Sequence, residues 1–178
     1  RNGAAGSDFY FGVPSDLSRV WTISTTDSSF AALTMEGRVY AWGDARYGGS
    51  KDDGYNYNGM PSGLVGVQAV YSTGEYAFAA LLGNGSVQVW GNVNTGGLLP
   101  SDMADVTDVR TIYSTDAAFA ALLKNGTVKV WGHEGYGGVK QPDLVGVQTI
   151  YSNHGAFAAV PGDGSVKAWG NLYGGGAM

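Results

Sequence analysis

A phenylalanine followed twelve residues later by a tryptophan occurs four times in this chain: Phe30 and Trp42, Phe78 and Trp90, Phe119 and Trp131, Phe157 and Trp169. The steps from one tryptophan to the next are 48, 41 and 38 residues. Spacing that is fixed inside the unit and elastic between units marks one supersecondary brick laid four times, with insertions confined to the joints.

Each unit has the same order of parts. A short apolar run opens it: "VWTIST" from Val20, "VQAVYST" from Val67, "VRTIYST" from Val109 and "VQTIYSN" from Val147. A small polar loop follows, then Phe-Ala-Ala, then a turn at Glu36-Gly37, Asn84-Gly85, Asn125-Gly126 or Asp163-Gly164. Next comes a run ending in Trp-Gly, and a glycine pair closes the unit at Gly48-Gly49, Gly96-Gly97, Gly137-Gly138 and Gly174-Gly175. Two strand-like runs joined by Asn-Gly or Asp-Gly predict a β-hairpin. Glu36 is a poorer turn former, which predicts a different turn with a bulge in the first unit.

In "TVKVWG", Val128 and Val130 face one way while Thr127, Lys129 and Trp131 face the other. A face that starts polar and ends in tryptophan suits a sheet half covered by its neighbour. Paired alanines in mid-strand allow another layer to approach closely. Both features predict sheets stacked radially. The fold class is therefore all-β: a β-propeller-like array of four repeats with three- to four-stranded antiparallel blades, as a closed four-bladed ring or an open arc. The chain reads as a single repeat domain over 1–178, with units at 20–49, 67–97, 109–138 and 147–175. Residues 1–19, with the echo "FGVPSDLSRV", read as the tail of a preceding repeat. The opening "RNGAAGSDFYF" has neither an initiator methionine nor a signal-peptide pattern, so the chain reads as processed or cut from something longer.

The element Gly-x-Val-x-x-Trp-Gly, recurring at Gly37, Gly85, Gly126 and Gly164, resembles the blade motif of the regulator of chromosome condensation family. The resemblance spans about Val20 to Gly175 and implies a β-propeller; known members are seven-bladed, and some act as nucleotide exchange factors or chromatin binders. The family's histidine before the second strand is replaced by Ser29, Ala77, Ala118 and Ala156, and its Gly-Gln-Leu-Gly by bare glycine pairs. The shortened repeat also resembles large arrays encoded by some unicellular algae, which implies an organellar (plastid) assembly.

The chemistry the residues allow is narrow. There is no cysteine, which excludes disulfides and thiolate sites. The net charge is −5 and the basic residues are scattered, so no basic patch points to nucleic acid. No apolar run reaches the ~20 residues of a membrane span, which leaves peripheral association with a membrane complex. The tryptophans could stack on sugars, but their strand position favours packing between blades. Tyr47, Tyr136 and Tyr173, read as standing before glycine pairs, are candidate ligand or partner residues. So are Asp52, Asp53, Tyr55 and Tyr57 in "KDDGYNYNG". That loop lacks the closing glutamate of a calcium-binding hand; it reads as a solvated insertion, with a cation site at Asp52, Asp53 and Asn56 as the alternative. His133 and His154 have no metal-ligand spacing. Asp27 and Asp116 read as loop caps. The glycine pairs lack the lysine of a phosphate loop. No catalytic residue, metal or cofactor is implied.

These features predict a non-enzymatic structural or protein-interaction subunit whose partners are other protein subunits. One concrete form is a peripheral stabilising subunit of an organellar membrane complex such as a photosystem. A lectin-like module using the aromatic loops is the main alternative. A guanine-nucleotide exchange factor is a third, implied by the family resemblance.

Overall fold

The hairpin turns set the architecture. In a computed structural model, which describes residues 12–49, 57–139 and 144–176, the four repeats form four antiparallel sheets, each a blade. Blade one is β1 (Val20–Thr25), β2 (Ser29–Thr34) and β3 (Val39–Gly43). Blade two is β5 (Val67–Ser72), β6 (Ala77–Leu82) and β7 (Val87–Asn92), with a short β4 (Tyr57–Asn58) on the edge of β7. Blade three is β8 (Val109–Ser114), β9 (Ala118–Leu123) and β10 (Val128–Gly132). Blade four is β11 (Val147–Ser152), β12 (Ala156–Pro161) and β13 (Lys167–Gly170). The fourth strand of blade two comes from the long linker that precedes it.

All four hairpins turn the same way, which corrects the expectation of a different turn at Glu36. Gly37 N–H donates to the Thr34 carbonyl, as Gly85 does to Leu82, Gly126 to Leu123 and Gly164 to Pro161. Each of these glycines has φ between 73° and 82°, the left-handed region that a Cβ disfavours. Asn84, Asn125 and Asp163 add a side-chain acceptor for the N–H two residues on. Glu36 instead pairs with Arg19 at 2.6 Å. The glycine, present in all four, is enough to fix the turn.

The shared turn sets a shared register. Each phenylalanine lies opposite its tryptophan, and the two rings stack at 5.1–5.2 Å. The first strand of every blade carries a register shift after its first residue, which leaves Trp21, Gln68, Arg110 and Gln148 exposed. Three apolar clusters fill the joints between successive blades. At each joint the alanine-lined back of one blade meets the Phe–Trp front of the next. The linkers supply plugs: Leu64, Met103 and Leu144 are buried in the successive joints. The blades form an arc. No fourth cluster joins blade four to blade one among the described residues.

Candidate interaction surface

Every filled joint has the same parts. The indole N–H of Trp90 donates to the Gly48 carbonyl at 3.0 Å, Trp131 to Gly96 at 3.1 Å, and Trp169 to Gly137 at 3.1 Å. The stacked phenylalanine lies against the Cα of the same glycine. A Cβ placed on Gly48, Gly96 or Gly137 would come within 2.6–2.7 Å of the ring of Phe78, Phe119 or Phe157. Near the hairpin turns, Val67, Val109 and Val147 donate their N–H to the carbonyls of Gly37, Gly85 and Gly126 at 2.9–3.1 Å. In these three joints the ring pairs are buried: Phe78 and Trp90, Phe119 and Trp131, Phe157 and Trp169.

The outer ends of the arc carry the same parts unmatched. On blade one, Phe30 is 43% exposed, where Phe78 and Phe119 are at 0%. This corrects its assignment to the repeat core: a front ring is buried only by a blade in front of it. Val20 and Ile23 are exposed where Val109 and Ile112 are buried. Trp42 is buried under the Phe30 stack, yet its indole N–H donates to no described residue. On the back of blade four, Gly175 has the left-handed φ of 86° shared by the joint glycines, and nothing lies within 4 Å of where its Cβ would be. Gly164 is open in the same sense. Beside Gly175 lies a cavity of about 170 Å³ lined also by Tyr151, Ala156, Ala158, Ala168 and Gly174. Ala156 and Ala158 occupy the places of Ala77 and Ala79, which pack with Phe119 at the second joint, and Ala168 occupies that of Val89.

The loops at the tryptophan end form a separate rim. Tyr47 packs on Tyr76 at 4.8 Å and beneath the Arg46 guanidinium. Tyr136 packs edge-on to His133 and His154. Tyr173 does not hold the equivalent position. The 3₁₀ turns after Trp-Gly end at Tyr47, Thr95, Tyr136 and Gly174, so Tyr173 is one residue early and stands fully exposed. The glycine pair of blade four is correspondingly Gly175-Gly176, with Gly176 N–H bonded to the Asn171 carbonyl as Gly49 is to Asp44. Asp52, Asp53, Tyr55 and Asn56 lie outside the described residues, and only the backbone of Tyr57 is described, in β4. Of the candidate tyrosines whose side chains are described, Tyr47 packs on Tyr76, while Tyr136 and Tyr173 both border His154.

The loop caps fall one residue before the aspartates expected to supply them. Thr115 Oγ1 accepts from Ala118 N–H at 3.1 Å and donates to the Tyr136 carbonyl at 3.0 Å. Thr73 and Asn153 cap their own loops from the same place. The backbones of Asp27 and Asp116 instead bridge to the next blade, at the carbonyls of Glu75 and His154. The side chain of Asp116 pairs with His154. Burial, reinforced by the Asp116 and Asp27 carboxylates, holds the Glu75 carboxyl above the ordinary glutamate range. Hydrogen bonding to Arg46 holds Asp44 below the usual aspartate range. Among the described residues no group of three histidine or carboxylate side chains is placed to hold a metal.

No family model matches the chain, and no curated protein matches it. Solved structures do. Yeast Prp20, crystallised with Kap60, aligns with a TM-score of 0.61 at 17% identity, covering 89% of this chain and 45% of that one. Human WBSCR16 aligns at 0.59 and 22% identity, covering 85% and 47%. The CRINKLY ectodomain of the Arabidopsis thaliana receptor kinase ACR4 aligns at 0.57 and 16%, covering 85% and 49%. The likeness is one of fold, and the fold is the β-propeller of the regulator of chromosome condensation type. The chain spans a little under half the length of each of these three structures.

Proposed function

We propose that this chain is a non-enzymatic protein-interaction scaffold, a structural subunit that works inside a larger assembly. The observation that carries the reading is Phe30, 43% exposed on a face whose equivalents are sealed elsewhere in the same molecule. A contiguous apolar face with Val20, Ile23 and Phe30 exposed together marks a surface that partners cover. The polar groups of the repeat are engaged in turns and caps, which supports a structural role. Docked through these faces, the chain would serve as a peripheral stabilising subunit, of an organellar membrane complex such as a photosystem in the most specific form of the reading. No helix among the described residues is long and apolar enough to cross a membrane.

The lectin-like alternative is less well supported, because Tyr47 and Tyr136 spend their rings on Tyr76, His133 and His154. The exchange-factor alternative rests on resemblance, and a shared fold does not carry function.

The test is the native size of the chain in an extract of its source cells, with cross-linking mass spectrometry on the same fraction. Elution in an assembly well above the chain's own 18.5 kDa, with cross-links clustering around the fronts and backs of the end blades, is the expected result. Elution at the size of the free chain, with no intermolecular cross-links, would overturn the reading.

A further inference from the structure

We infer that the partner for each open face is the other open face on a second copy of this chain, docked head to tail. The inference rests on the scaffold reading and names its first partner. The chain itself shows three times how such a joint is made, and each end presents one complementary half.

The fit is specific part by part. The Phe30 ring of one copy enters the cavity behind blade four of the other, against Gly175. About 170 Å³ is on the scale of a cavity that holds a benzene ring, ~150 Å³. Trp42 Nε1, which has no partner among the described residues, donates to the Gly175 carbonyl, as Trp90 does to Gly48. The Val20 N–H reaches the Gly164 carbonyl, as Val67 does for Gly37. Val20 and Ile23 are then covered as Val109 and Ile112 are at the second joint. The docked face continues the stacking already present between blades, so no new kind of interface is required. A joint between unlike faces is heterologous, and it closes when the partner's free ends meet in turn.

Two substitutions break the joint from opposite sides. Phe30→Glu places a charge at the entering ring. Gly175→Asn puts a Cβ where that ring must lie, in a residue that tolerates the left-handed backbone better than most. Both positions are exposed in the single chain, so each variant should keep the wild-type circular dichroism.

The measurement is solution mass by light scattering and sedimentation, on the full purified chain, up to about 100 µM. Wild type should reach at least twice 18.5 kDa. Each variant alone should stay at the single-chain mass, with at least a tenfold loss of association. An equal mixture of the two should recover twice that mass, because one variant keeps an intact front and the other an intact back. A dimer of like faces would not be rescued by mixing, so an unrescued mixture overturns the inference. A wild type that stays at 18.5 kDa throughout also overturns it, as does self-association that survives both substitutions. If the chain nevertheless runs in a large assembly in extract, the scaffold reading stands with an unlike partner. If it runs alone there too, both readings fall.

Discussion

The indole of Trp131 on blade three donates to the carbonyl of Gly96 on blade two at 3.1 Å, while Trp42, the same residue of blade one, donates to nothing described. The pair forms an internal control. Trp131→Phe leaves a buried carbonyl without its donor, a loss of about 1–3 kcal/mol. Trp42→Phe removes no such bond and should cost less than half as much. Paired thermal melts of the two variants check this, with a drop of a few degrees expected for the first. Equal losses would show that ring volume, not the bond, sets the cost.

Gly96 and Gly175 differ in what stands in front of them, although both have a left-handed φ, 112° and 86°. Alanine at either site bears the backbone cost, about 1–2 kcal/mol. At Gly96 the new methyl also meets Phe119 at 2.6 Å, whereas at Gly175 it meets open space. Gly96→Ala should therefore lose more than about 3 kcal/mol in urea unfolding. Gly175→Ala should lose only the backbone share, measured at low protein concentration. Similar losses at the two sites would mean that the joint yields to the methyl.

What the sequence revealed and what it hid divide along the same line. Phe30 and Trp42 pair because a local turn sets their register, and local turns are written in neighbouring residues. Packing of Trp90, Trp131 and Trp169 between blades follows from alternation along single strands. The edge strand at Tyr57–Asn58 could not be foreseen, since it depends on a linker returning to β7. Tyr173 was misplaced because Gly174, Gly175 and Gly176 offer two readings of a glycine pair. The constant six-residue step from each tryptophan to the first glycine of the pair would have resolved it. The exposure of Phe30 was hidden for another reason: its letters match those of the buried copies, and what separates them is that no blade lies in front of it among the described residues.

Thr115 joins two loops with one hydroxyl, accepting from Ala118 N–H and donating to the Tyr136 carbonyl. It is buried, so neither group can turn to water. Thr115→Ala should cost about 1–3 kcal/mol, and Thr115→Ser should restore most of it. Hydrogen exchange at the Ala118 amide, faster in the alanine variant and close to wild type in the serine variant, separates loss of the cap from loss of the methyl group. Unchanged exchange in both would remove the hydroxyl from the loop's support.

Glu75 provides a pH test. Its carboxyl is raised above 4.5 by burial and then by the Asp116 and Asp27 carboxylates. In the window just above 4.5 the folded chain holds this proton more than the unfolded chain does. Stability from this group therefore falls as pH rises through that window, and the full penalty is present at neutral pH. Glu75→Gln removes the charge without removing the bulk. The variant should melt about 1–3 °C higher than wild type near neutrality, the size of a partly exposed charge effect. The gain should vanish below the unfolded value of 4.5, where both side chains are neutral. Melting curves of the two proteins across this range check the sign. A variant that melts lower than wild type at neutral pH would show that the Glu75 carboxylate is held by attraction and not by crowding among like charges.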